Sequence, residues 1–108
     1  MIEHDGKKIP TADPKDPNSV GVEYGFTYKL EDLEVITSSI WLINDVVVSV
    51  GGTVDGLVLE SADFLDNVTK AGLTGGNPDT KYTLTNRLGT NVVTSDDRSM
   101  YIKVAKRL

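Results

Sequence analysis

Cysteine is absent from this 108-residue chain. No disulfide, thiol nucleophile, iron–sulfur cluster or thiolate zinc site can be built from it. Histidine occurs once, as His4, so one copy supplies neither a histidine-based triad nor a two-histidine metal site. Apolar runs such as Val46-Val47-Val48 are far too short to cross a membrane. Residues 1–8 hold no apolar stretch, so no secretory signal is expected. Positive charge is scarce: eleven Lys and Arg stand against sixteen Asp and Glu, a net charge of −5. Binding to nucleic-acid phosphates needs a cationic surface and is therefore not expected. No nucleophile-and-base constellation is present, which predicts a protein that is not an enzyme, with no catalytic residues, metal or cofactor.

What is present describes a globular domain. The chain is 39% hydrophobic and 25% charged, and its length suits one folding unit that buries about 65% of its unfolded surface. Residues 1–19 read as an extended arm, with Pro10, Pro14 and Pro17 set among acidic and basic residues and no apolar period. Such an arm is either a flexible terminus or a strap that orders against a neighbouring subunit, for which Ile2 and Ile9 are the apolar anchors. Residues 20–108 form the folded domain.

Strict alternation begins at Val22. Tyr24, Phe26, Tyr28 and Leu30 share one face against Glu23, Gly25, Thr27 and Lys29, the pattern of a half-buried strand. Val35 to Ile43 is a second strand, with Ile36, Ser38, Ile40 and Leu42 on one face and Val35, Thr37, Ser39, Trp41 and Ile43 on the other. The lone tryptophan, Trp41, is expected in the core between two sheets. Asn44-Asp45 turns the chain into Val46–Val50, and Gly51-Gly52 breaks that strand. Thr53 to Leu59 reads as one short strand. Ser61 to Asp66 is open, since Ser61 can cap a single helical turn. Asn67 to Thr74 is a strand, Gly75 to Thr80 a strong turn, and Lys81 to Leu88 a strand with Tyr82, Leu84 and Leu88 on one face. Tyr82 sits where a tyrosine corner is found in immunoglobulin domains. Gly89-Thr90-Asn91 leads into Val92-Val93-Thr94. Ser95 to Arg98 is a polar turn, and Ser99 to Val104 is the last strand, with Tyr101 facing outward. No sustained helical period appears. About seven short strands predict an all-β, immunoglobulin-like antiparallel sandwich, with a small barrel as the alternative. Tyr24, Phe26, Tyr28, Trp41 and Tyr82 are its expected core anchors.

Few residues suggest chemistry. Asp96-Asp97-Arg98 is the densest charge cluster, expected as a solvated turn in which Arg98 pairs with a neighbouring carboxylate. Glu60, Asp63, Asp66 and Asn67 lack the spacing of a calcium loop. Asn67-Val68-Thr69 fits a glycosylation acceptor by chance. Gly51-Gly52 and Gly75-Gly76 lack the Gly-Lys-Ser/Thr of a phosphate loop. Lys103, Lys106 and Arg107 make a basic, solvated C-terminus.

Five blocks in order carry a family resemblance: Lys15-Asp16-Pro17; Tyr24-Gly25-Phe26-Thr27-Tyr28; Ile36-Thr37-Ser38-Ser39-Ile40-Trp41; Gly75-Gly76 followed by Tyr82-Thr83-Leu84-Thr85-Asn86-Arg87; and Asp96-Asp97-Arg98-Ser99. Over residues 15–104 the chain resembles the fiber-tail adaptor proteins of tailed phages, least so in 44–66. The resemblance implies an immunoglobulin-like sandwich in the virion, assembled in the host cytoplasm and linking tail fibers to the tail or neck. Its partners would be other virion proteins (tail fiber, tail tube, portal or connector), with several copies in a symmetric ring and no contact with nucleic acid or membrane. The arm (Ile2, Ile9, Pro10, Pro14, Pro17) and the outward Tyr101 are the expected partner-binding residues. An adhesive module for host-surface carbohydrate is the alternative, and it would require exposed aromatic faces.

Overall fold

Three two-residue turns shape the chain. In a computed structural model that describes residues 20–92 and 95–105, Asn44-Asp45, Asp55-Gly56 and Asp66-Asn67 each join two antiparallel strands directly. Asn44 and Asp45 both take positive φ, 50° and 65°, and Asp55-Gly56 does the same at 47° and 82°. This is the mirror-image turn whose twist matches paired strands, and it favours Asn, Asp and Gly.

The strands are β1 (Val22–Thr27), β2 (Ile36–Ile43), β3 (Val46–Val48), β4 (Thr53–Val54), β5 (Leu57–Leu65), β6 (Val68–Gly75), β7 (Lys81–Thr90) and β8 (Asp96–Lys103). They form two four-stranded antiparallel sheets, in the orders β1-β6-β5-β4 and β3-β2-β7-β8. The architecture is an all-β sandwich, with eight strands where about seven were expected. It has two separate sheets, so the barrel alternative does not apply.

The core lies between the sheets. Phe26, Leu57, Leu59, Ala71 and Leu73 from one meet Trp41, Ile43, Val48, Tyr82, Leu84 and Ile102 from the other. Phe26 stacks on Trp41 with ring centroids 6.1 Å apart. Tyr28 follows β1 and is also buried, while Tyr24 is half-buried against the cluster. Gly25 lets β1 lie close on β6, because a Cβ there would stand 2.6 Å from the Thr69 carbonyl oxygen.

Four expectations change. The Thr53–Leu59 strand is a hairpin, since Asp55-Gly56 turns the chain within it. Ser61 to Asp66 forms no helical turn: Ser61–Leu65 continue β5, paired with β6 from Gly72 to Val68. Asp96 to Arg98 belong to β8, paired with Leu88 to Asn86, instead of forming a turn. A register shift between Ile36 and Ser38 puts Ile36 in the same core cluster as Trp41 and Ile43, where simple alternation set it on the opposite face. The arm, the Val93-Thr94 segment and the Lys106-Arg107 terminus lie outside the described residues.

Candidate functional site

Polar residues spaced along β7 hold the sandwich together. Tyr28, at the end of β1, is fully buried and needs a partner for its hydroxyl. It donates to Asn86 Oδ1 at 2.6 Å. Asn86, also fully buried, donates through Nδ2 to Ser39 Oγ at 2.8 Å and to the Ile40 carbonyl at 3.3 Å. One amide thus joins β1 in the first sheet to β2 and β7 in the second.

Its neighbours do the same towards β8. The Thr85 and Ser99 hydroxyls meet at 2.7 Å. Arg87 gives Asp97 two parallel bonds, from Nε at 3.0 Å and Nη2 at 3.1 Å, the fork geometry that suits a carboxylate. Arg98 donates to the Thr27 carbonyl at 2.9 Å and lies over the Tyr28 ring, 5.2 Å from its centroid. The sequence expectation paired Arg98 with an adjacent carboxylate. Successive strand residues point to opposite faces, so Asp97 instead meets Arg87 across the ladder and Arg98 crosses to the other sheet.

Tyr82 closes the far end. Its hydroxyl donates to the Asp55 carbonyl at 2.6 Å and accepts from the Asn77 amide at 2.8 Å. That ties β7 to the β4–β5 turn and to a loop five residues upstream.

Burial raises the phenol pKa of Tyr28 well above the ordinary value, against a smaller opposing pull from the Arg98 guanidinium. Burial also raises Tyr82 and Tyr24. The Asp97 hydrogen bond raises Arg87. A phenol whose folded pKa lies above its unfolded one contributes stability that is complete below about pH 10 and is lost as pH rises beyond it. The melting temperature should therefore hold to about pH 9 and then fall. Phenolate formation at Tyr24, Tyr28 and Tyr82 should come only as unfolding begins. Ordinary titration of all the tyrosines with the fold intact would contradict this burial.

The other candidates are engaged locally. Tyr101 is half-buried with Lys81 Nζ 4.3 Å from its ring centroid, so its outward face is partly covered. Glu60 accepts from the Thr74 hydroxyl, Asp63 from the Phe64 amide, and the Asn67 amide caps the Tyr28 carbonyl. Among the described residues no group of three or more potential metal ligands comes together. Lys103 approaches Asp79 at 3.8 Å. Ile2, Ile9, Pro10, Pro14 and Pro17 lie outside the described residues.

Open apolar grooves occur among the described residues. One, about 450 Å³, runs between the Leu30–Ile36 stretch and the β5–β6 turn, lined by Val35, Ile36, Phe64 and Leu65. Another, about 390 Å³, lies where the chain crosses between the sheets after β3, lined by Ile40, Trp41, Val47, Val50, Leu59 and Ala62. Sequence reasoning found neither groove, nor the buried Asn86. An asparagine within an otherwise apolar strand face was the available signal for the latter.

The family model described as podophage GP4 fiber-tail adaptor protein gp77 matches residues 15–103. The chain belongs to this fiber-tail adaptor family. Comparisons with curated proteins and with solved structures returned no match. Set against the adaptor blocks named above, the side chains have structural tasks: Tyr28, Ser39, Asn86, Arg87 and Arg98 link strands and sheets. Membership supports a structural role in the phage particle, in contact with other tail proteins. In this adaptor the block residues build the frame.

Proposed function

We propose that the protein is a non-enzymatic virion adaptor that links tail fibers to the tail or neck, in several copies around a symmetric ring. The family match over residues 15–103 carries this reading. The internal engagement of the polar blocks supports it, because their side chains serve to brace the strands and sheets. The sandwich is of immunoglobulin type in this reading: β1-β6-β5 and β3-β2-β7-β8 follow the strand orders B-E-D and C′-C-F-G. Partners are the tail fiber, tail tube, portal or connector proteins. Assembly proceeds in the host cytoplasm, with the N-terminal arm as a strap to a neighbouring subunit. Exposed rings for the carbohydrate reading are few, since Phe26, Tyr28, Trp41 and Tyr82 all face inward.

Particle incorporation of a truncated chain tests the role. Removing residues 1–14 should leave the melting temperature of the domain nearly unchanged while reducing its incorporation into particles. Unfolding of the truncated domain would make the arm part of the core, and normal incorporation would remove its role as a strap.

A further inference from the structure

The groove beside Trp41 is a notch in one flank of the sandwich, and both of its walls are strand edges. β3 pairs with β2 only from Trp41 to Ile43, so on that side β2 has no strand neighbour among the described residues before Trp41. β4 pairs with β5 only at Leu57 and Val58, so the same holds for β5 from Ser61 to Leu65. Free edges of this kind are templates for an added strand.

The notch is also apolar. Ala62 and Phe64 lie opposite Ala71 and Thr69 of β6, both buried, so they share the core-facing side of β5 yet are exposed. Ile40, Val47 and Val50 are exposed around the rim, at 41%, 58% and 60%. Trp41 forms part of the wall, and its indole Nε1–H is buried with no acceptor among the described residues.

We infer that the notch takes the N-terminal arm, residues 1–19, of a neighbouring copy, with Ile9 as the apolar anchor. This rests on the adaptor reading above and names the receiving surface for its strap. The arm ends at Val20, itself exposed, and extended it reaches roughly 60 Å, ample to cross to another subunit. Lys7 and Lys8 precede Ile9, and Glu60 and Asp63 stand exposed on the receiving edge. Its own copy is the poorer host. β1 lies at the opposite margin of its sheet from the notch. The outer face between them presents Glu23, Lys70 and Asp63, and its apolar pair, Val68 and Leu65, stands level with Thr27, at the end of β1 away from where the arm enters. A head-to-tail exchange of arms is a heterologous contact, the kind that closes into rings.

The absence of cysteine makes the test clean. Particles are prepared with two populations of full-length chain, one carrying Ile9→Cys and the other Ala62→Cys, and are oxidised mildly. A covalent dimer is expected, and pairing Ile9→Cys with Glu23→Cys on the outer face should lose it. A disulfide needs Cα atoms within about 7 Å, so it reports seating and not mere proximity. The double variant Ile9→Cys, Ala62→Cys should give a ladder of linked chains. No dimer in particles, or closure of the double variant within its own chain, overturns the inference. Arm truncation separates the two claims: lost incorporation without a cross-link keeps the strap and removes this groove as its site.

Discussion

Trp41→Ala is expected to destabilise the domain by about 3–5 kcal/mol, the range for removing a large aromatic from a packed core. Trp41 is 2% exposed and stacks on Phe26 of the opposite sheet, so the truncation opens a void between the sheets where neither strand can easily move in. Domains of this size have a total stability of about 5–15 kcal/mol, so the loss is a large share of the whole. At about 4–8 °C per kcal/mol the melting temperature should drop by more than about 12 °C. Trp41→Phe should cost much less, because it keeps the stacking ring and removes an Nε1–H that has no partner to lose among the described residues. Trp41 is the sole tryptophan, so its fluorescence reports the site directly. A blue-shifted emission, poorly quenched by acrylamide, is expected in the folded protein. Red-shifted and freely quenched emission would place the ring in solvent.

Local pattern reached as far as local causes did. β1 was legible because its inward row is unbroken and its outward row polar, and Asn44-Asp45 because its residues suit positive φ. The Asp55-Gly56 hairpin carried an equally plain signal, but Val54, Leu57 and Val58 masked it as one apolar strand. Ile36 was assigned to the wrong face because a bulge is an extra residue that no alternation pattern contains. The charged start of β8 read as a turn for a different reason. Asp97 and Arg98 are stabilised in a strand by Arg87, Thr27 and Tyr28, and the last two stand about seventy positions earlier in the sequence. The candidate site follows the same rule. The blocks that suggested the family were visible, but that they act as braces, and that open grooves lie beside them, depends on how two sheets meet.

The Tyr28–Asn86 brace makes the second large prediction. Asn86→Ala removes an acceptor from a buried hydroxyl and two donor bonds from β2. A buried polar group left without a partner costs about 1–3 kcal/mol, and the void left by the side chain adds to it, for a total of roughly 2–4 kcal/mol. Tyr28→Phe has a related effect from the other side, since it strands the Asn86 carbonyl oxygen and should cost about 1–3 kcal/mol. The two changes should not add. Once Asn86 is replaced by leucine, the Tyr28 hydroxyl has lost its acceptor, and removing that hydroxyl then relieves a penalty instead of creating one. The combination Tyr28→Phe, Asn86→Leu should therefore be more stable than the sum of the single losses by about 0.5–3 kcal/mol, the usual size of coupling between contacting residues. Denaturant melts of the parent, Tyr28→Phe, Asn86→Leu and the double variant measure this. Strict additivity would mean that the Tyr28–Asn86 hydrogen bond is not made in solution, and that this pair does not brace the two sheets.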